Sequence, residues 1–189
     1  MDAILTSIAV VAVAEIGDKT QLLAIVLAAR FRRPVPIMLG ILAATLLNHA
    51  AAAGLGYLVS QWLAGPTFRI VVGVAFIVMA GWALIPDKDD PNAAKRPAHG
   101  VFLTTLVAFF LIEIGDKTQV ATSLLAAQFR NIELVTVGTT VGMMLANVPA
   151  VLLGGALIKV IPLQHVRRAA AFLFAAIGVW IVLGASNPF

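Results

Sequence analysis

The heptapeptide Glu15-Ile16-Gly17-Asp18-Lys19-Thr20-Gln21 recurs unchanged as Glu113-Ile114-Gly115-Asp116-Lys117-Thr118-Gln119, displaced by 98 residues in a chain of 189. The likeness continues: Ala28-Ala29-Arg30-Phe31-Arg32 aligns with Ala126-Ala127-Gln128-Phe129-Arg130, and Gly40 aligns with Gly138. Further on the register drifts, so that Asn48 falls one residue off Asn147 and Gly54 two off Gly154, as a small insertion produces. A chain assembled twice from one unit folds as two related halves. How the halves are related depends on what surrounds them and how often each crosses it.

What surrounds them is lipid. The chain is 61% hydrophobic and 12% charged, against about 25% charged residues in an average soluble domain. At 19.8 kDa a soluble fold exposes too much of its surface to hide so many apolar side chains. A soluble enzyme is therefore excluded. Apolar runs at residues 4–29, 35–59, 68–85, 101–127, 134–158 and 168–185 are each near the roughly 20 residues that a helix needs to cross about 30 Å of hydrocarbon. They are separated at Arg30 to Pro34, at Gly65-Pro66, across residues 86–100, and at Ile161-Pro162, all turn or stop signals. The runs do not alternate as barrel strands do.

The expected fold is an all-α polytopic membrane protein of six transmembrane helices. Residues 1–85 form one three-helix repeat and 101–189 the other, joined by a linker at 86–100. Three crossings are an odd number, so the second repeat enters from the opposite side. The halves are then inverted about a pseudo-two-fold axis in the membrane plane. The first span carries Glu15, Asp18 and Lys19 and is preceded by Asp2 rather than basic residues, so it is expected to remain uncleaved.

Basic residues in short loops orient the bundle. Arg30, Arg32, Arg33, Lys88, Lys95, Arg96, Lys159, Arg167 and Arg168 fall on one side, and only Arg69 and Arg130 on the other. This puts the odd-numbered loops and the linker in the cytoplasm and both termini outside. The net charge of +4 is thereby a topology signal, and nucleic acid is not an expected partner. The chain has no cysteine, which excludes disulfides and thiolate metal sites.

Six charged groups, three per heptapeptide copy, fall at membrane depth. Each costs roughly 2.5–3.5 kcal/mol at a helix centre on insertion scales, so such a group ordinarily marks an ion pathway or a pairing network. Glu15 and Asp18 lie three residues apart on a helix and so are expected to project from one face, as are Glu113 and Asp116. Pairing of Glu15 with Lys19 and of Glu113 with Lys117, each at i,i+4, offers a purely structural explanation. Four carboxylates against two ammonium groups nevertheless leave a charge of −2, enough for one divalent cation or two protons. The available donors are the carboxylates, Thr20, Thr118, Gln21, Gln119, Asn48, Asn147 and backbone carbonyls. An all-oxygen set suits Mn²⁺, Ca²⁺ or Mg²⁺ better than Zn²⁺ or Cu⁺. Gly17 and Gly115 serve either close helix approach or a local opening that frees a carbonyl. His49, inside the second span, reads as an interhelical hydrogen-bonding group or a proton relay. Met143 and Met144 read as packing, Pro149 as a kink, and Asp87, Asp89 and Asp90 as a solvated linker. His99 and His165 receive no role.

The doubled E-x-G-D-K-T string in a six-span chain of about this length resembles a family of cation/proton exchangers. Its eukaryotic members are Golgi and chloroplast manganese/calcium transporters, and its bacterial members are manganese exporters. The resemblance covers the whole chain, with no departure inside either motif. It implies that the two acidic motifs form the cation site, at Glu15, Gly17, Asp18, Lys19 and Thr20 and at Glu113, Gly115, Asp116, Lys117 and Thr118. The short linker and the lack of a targeting extension resemble a bacterial inner-membrane member.

The expected function is export of one divalent cation, Mn²⁺, in exchange for H⁺, with no other cofactor. Glu15, Asp18, Glu113 and Asp116 are the expected metal ligands and proton acceptors. Thr20, Thr118, Gln21, Gln119, Asn48 and Asn147 complete or orient the shell, and Lys19 and Lys117 favour the charged carboxylates. One chain suffices for a complete site, with the ion and the lipid bilayer as its only required partners. Ca²⁺/H⁺ exchange is the first alternative. Export of amino acids or other small organic solutes is a weaker one, since such cargo does not call for four buried acids. The membrane segments contain no nucleophile–base pair and no H-E-x-x-H spacing, so an enzyme is not expected.

Overall fold

A computed structural model describes residues 2–63, 65–85, 100–154 and 163–186. Among them are eight helices: α1 (Ala3–Glu15), α2 (Lys19–Phe31), α3 (Pro34–Trp62), α4 (Pro66–Ala83), α5 (Val101–Glu113), α6 (Lys117–Phe129), α7 (Ile132–Leu153) and α8 (Leu163–Ser186). Local chemistry explains their ends. Asp2 caps α1 by accepting from the Ile4 and Leu5 amides, Asn131 caps α7 through Leu134, and α3 and α4 begin on prolines, which need no amide partner in a first turn. Arg32 and Arg130 end α2 and α6 identically, each at φ 51° with its amide donating to the carbonyl of Ala28 or Ala126 at 2.9 Å.

The runs at 4–29 and 101–127 are not continuous helices. Each breaks inside the heptapeptide, at residues 16–18 and 114–116. The cause is local: Gly17 and Gly115 sit at φ +79° and +77°, and Asp18 and Asp116 are extended. Glutamine repairs the break. The Gly17 amide donates to Gln21 Oε1 at 2.8 Å, and the Gly115 amide to Gln119 Oε1 at 2.6 Å, giving partners to two backbone donors at the breaks. Glycine is needed here because a side chain at positive φ costs roughly 1–2 kcal/mol. Gly115→Ala is expected to carry this backbone cost alone, since nothing lies within 4 Å of its added Cβ. Gly17→Ala is expected to lower thermal stability further, because its Cβ would overlap Leu163 Cδ2. Melting curves of the two purified variants test this ordering.

A 13-residue helix is about 20 Å long, too short for the hydrocarbon layer by itself. Helices α3, α4, α7 and α8 are long and apolar enough to cross a membrane. Trp62, Leu55, Val78, Phe172 and Leu183 are turned outward, while Ser7, Thr45, Asn48, Thr105, Thr122, Thr139 and Asn147 are buried. This is an outside for lipid and an inside with polar groups. The chain is a multi-pass helical membrane protein.

Packing crosses between the repeats. Helix α3 lies along both α5 and α6, while α7 lies along both α1 and α2; α3 also meets α7, and α4 meets α8. A Cβ on Gly40 would come within 2.7 Å of Thr105 Cβ and 2.8 Å of the Phe102 carbonyl. A Cβ on Gly138 would come within 2.8 Å of both Ser7 Cβ and the Ile4 carbonyl. These contacts correspond at the same displacement of 98 residues. In each half the third helix, α3 or α7, grips the opening helix of the other half. Gly73 and Gly178 bring α4 and α8 together, each with its virtual Cβ against the other's carbonyl, at 2.8 and 2.6 Å.

Other boundaries shift modestly. Helix α4 starts and ends two residues before the 68–85 run, and α8 starts at Leu163, so that His165, Arg167 and Arg168 belong to its first turns rather than to a loop. Pro149 is inside α7, which ends at Leu153 against the expected 158. Most of the expected linker, with Asp87, Asp89, Asp90 and His99, lies outside the described residues, as does 155–162.

Candidate cation site

The two breaks bring four helix ends together beside the middles of α3 and α7. Helices α1 and α5 end on Glu15 and Glu113, so each carboxylate leaves from a C-terminal turn. Asp18 and Asp116 occupy the N-cap positions of α2 and α6 without capping an amide through their side chains. The positive ends of those helix dipoles favour anionic groups there.

One carboxylate oxygen each from Glu15, Glu113 and Asp116 lie within 4.8 Å of one another, and all three residues are buried. Asp18 is not in this trio. It is buried beside a cavity of about 20 Å³ that it lines with Gly17, Lys117, Ala83, Arg167 and Phe174, large enough for a water molecule. The residue pattern signalled four acids but not their division: Asp18 and Asp116 have the same extended backbone after the same break, yet only Asp116 joins the trio.

The lysines and amides are also redistributed. Lys19 Nζ reaches across to the other motif, 2.9 Å from Asp116 Oδ1. Lys117 Nζ donates to the Ile85 carbonyl at 2.8 Å, fastening its motif to the end of α4. Thr118 Oγ1 lies 3.4 Å from both Glu113 Oε2 and Asp116 Oδ2. Thr20 is buried, and its Oγ1 makes no hydrogen bond. Asn147 Nδ2 is 3.4 Å from Glu15 Oε1, 3.1 Å from the Met143 carbonyl and 3.0 Å from Met143 Sδ. Asn48 Nδ2 donates instead to the Phe110 carbonyl at 3.1 Å, tying α3 to α5. Gln21 uses its amide nitrogen on the Ala146 carbonyl, 3.0 Å away, and its oxygen on the turn. His49 is fully buried, with Nε2 3.8 Å from Glu113 Oε2. The sequence presents it first as an interhelical hydrogen-bonding group, but neither ring nitrogen makes a hydrogen bond. Its only signal was a position beside Asn48.

Three carboxylates and the Lys19 ammonium sum to −2 when all are ionised, which is the charge that one divalent cation neutralises. Carboxylate oxygens bind hard cations directly, and the same oxygens bind protons. Metal and protons therefore compete for these oxygens.

The chain matches the family described as "Divalent cation/proton antiporter GDT1" over residues 3–91 and 101–188. A Vibrio cholerae serotype O1 protein named "Putative manganese exporter" is 50% identical over 175 residues, covering 92% of this chain and 87% of that protein. Proteins named "GDT1-like protein 3" are more distant. Those of Oryza sativa, indica and japonica, are 25% identical over 94% of this chain and 72% of theirs. The Arabidopsis thaliana one is 24% identical over 94% and 69%. No solved structure matches the chain. With both halves matched and each carrying its acidic heptapeptide, the chain belongs to the GDT1 family of divalent cation/proton antiporters.

Proposed function

We propose that this antiporter moves Mn²⁺ out of the cytoplasm across a bacterial inner membrane in exchange for H⁺. The convergence of Glu15, Glu113 and Asp116 within 4.8 Å carries the reading, and the name of the Vibrio cholerae relative supports the choice of metal. Glu15, Glu113 and Asp116 chelate the ion. Asp18 is the fourth acid and receives it from the cavity, which is bounded by the end of α4 and the start of α8. Thr118, Thr20 and Asn147 border the ion. Lys19 holds Asp116, while Gln21, Gln119, Asn48 and Lys117 hold the backbone around it.

The chain crosses the bilayer six times in this reading. Helices α1 and α2 together make one broken crossing and α5 and α6 another, each laid along one long helix of the other half. The matched glycine contacts and the paired helix breaks support two inverted three-helix repeats. Both termini are outside, following the basic residues of the odd-numbered loops. One chain contains every acid of the site.

Everted membrane vesicles with an acidic lumen and a proton-sensitive dye test the function. Added Mn²⁺ is expected to release the proton gradient, and absence of release with both Mn²⁺ and Ca²⁺ sinks the proposal. Acidifying the outer medium, the cytoplasmic side, is expected to weaken apparent Mn²⁺ affinity, since protons and metal compete for the same oxygens. With one proton displaced per ion, the limit is about tenfold per pH unit.

A further inference from the structure

Beside the aligned asparagines the two halves differ in residue type. After the aligned asparagines, the first half has His49 on α3, whereas the second has Val148 on α7. His49 is 0% exposed, and neither ring nitrogen makes a hydrogen bond. Buried imidazoles ordinarily satisfy at least one nitrogen, because a buried polar group without a partner costs free energy. Its Nε2 points to Glu113 Oε2 at 3.8 Å, too far for a hydrogen bond. Two donors on one ion, with bonds of about 2.1 Å, stand roughly 3.0 Å apart at right angles and 4.2 Å apart when opposite. The separation of His49 and Glu113 falls between these limits. The ring stands outside the trio whose oxygens lie within 4.8 Å of one another, so an ion held by His49 is shared with Glu113 and not with all three acids at once.

We infer that His49 is a nitrogen ligand of the transported ion at a position shared with Glu113, at the edge of the trio, and that it selects Mn²⁺ against Ca²⁺ and Mg²⁺. The inference rests on the carboxylate trio being the cation site. Its chemistry is that of ligand softness. Ca²⁺ and Mg²⁺ take oxygen donors almost exclusively. Imidazole suits the later first-row metals best, and Mn²⁺, a hard ion at the start of that series, accepts it more readily than Ca²⁺ or Mg²⁺ does. A carboxylate trio alone offers little discrimination among divalent ions. One imidazole placed beside it favours the transition metal, and the neutral ring leaves the charge balance unchanged.

The test compares His49→Gln and His49→Asn with the parent chain in everted vesicles, using Mn²⁺ and Ca²⁺ separately. The Mn²⁺ KM is expected to rise roughly tenfold or more, a typical loss when a metal site's environment is disturbed, while any Ca²⁺ transport keeps its KM within about twofold. The purified full chain loaded with Mn²⁺ is also examined by pulsed electron paramagnetic resonance. The ¹⁴N modulation of a coordinated imidazole is expected in the parent and absent from both variants. An unchanged Mn²⁺ KM, an equal loss for both ions, or a parent spectrum without ¹⁴N coupling overturns the assignment. Glu113→Gln separates the two readings. If it abolishes transport while the His49 variants behave as the parent, the acids bind the ion and His49 does not. If Glu113→Gln transports normally, the carboxylate site itself is wrong.

Discussion

Glu15→Gln and Glu113→Gln, each introduced alone, are expected to reduce Mn²⁺-driven proton release by at least about 100-fold, the upper end of losses seen on disturbing metal sites. Both residues are fully buried, and glutamine keeps their volume and one acceptor oxygen. The Asn147 contact to Glu15 Oε1 can persist, so the exchange alters charge far more than shape. What it removes is one of the three negative charges that balance a divalent ion, together with a group able to carry a proton. A single substitution is therefore expected to suffice under the proposed function, in which both motifs serve one site. Initial rates in everted vesicles, normalised to the amount of folded protein, measure the effect. If each single variant retains parental rates, the motifs do not form a common site. If one variant is inactive and the other normal, only one motif binds the ion.

The largest expected effect on stability is at Gly56. A Cβ there would overlap the carbonyl oxygen of Ser123 on α6, a backbone atom that moves only if α3 and α6 separate. Ser123 also binds α3 through its hydroxyl, which donates to the Ala52 carbonyl at 2.9 Å, so separation loses this bond as well. Overpacking usually costs about 1–3 kcal/mol, occasionally more, and Gly56→Ala should lie at or above the top of that range. At roughly 2–4 °C per kcal/mol for a chain of this size, melting is expected to fall by about 6–12 °C. Gly54→Ala supplies the control. Two residues away on the same helix, its Cβ meets nothing within 4 Å, and alanine is preferred to glycine in a helix by roughly 0.5–1 kcal/mol. Its melting temperature is expected to stay level or rise. Equal losses in both variants would mean that helix propensity, not the α3–α6 approach, governs this segment.

Much of the architecture was legible in the residue pattern because it rests on strong local signals. Pro34 and Pro66 begin helices, the apolar runs at 35–59 and 68–85 become α3 and α4, and the doubled heptapeptide marks where the buried acids gather. The helix break was only half legible. Gly17 and Gly115 are compatible with either close packing or an opening, and only the backbone reveals φ near +80°. The partners of Lys19 and His49 were not legible at all. Spacing along one helix directs Lys19 to Glu15, whereas Asp116 approaches it from 97 residues away because the halves interlock. No periodicity brings His49 to Glu113; that meeting requires α3 to lie along α5. Single-sequence reasoning sees what neighbours share, and this site is made by residues that are not neighbours.

The grip of α7 on α1 has a consequence for how the molecule comes into being. Asn147, the hydrogen-bonding neighbour of Glu15, lies 132 residues downstream, a distance that a ribosome covers in about 7–26 s at roughly 5–20 residues per second. Throughout that interval the opening helices are in the membrane without the surface that buries them, and Glu15 and Asp18 wait for a half that has not been synthesised. Folding therefore finishes late and jointly, as a docking of two inserted halves rather than a sequential growth from the first.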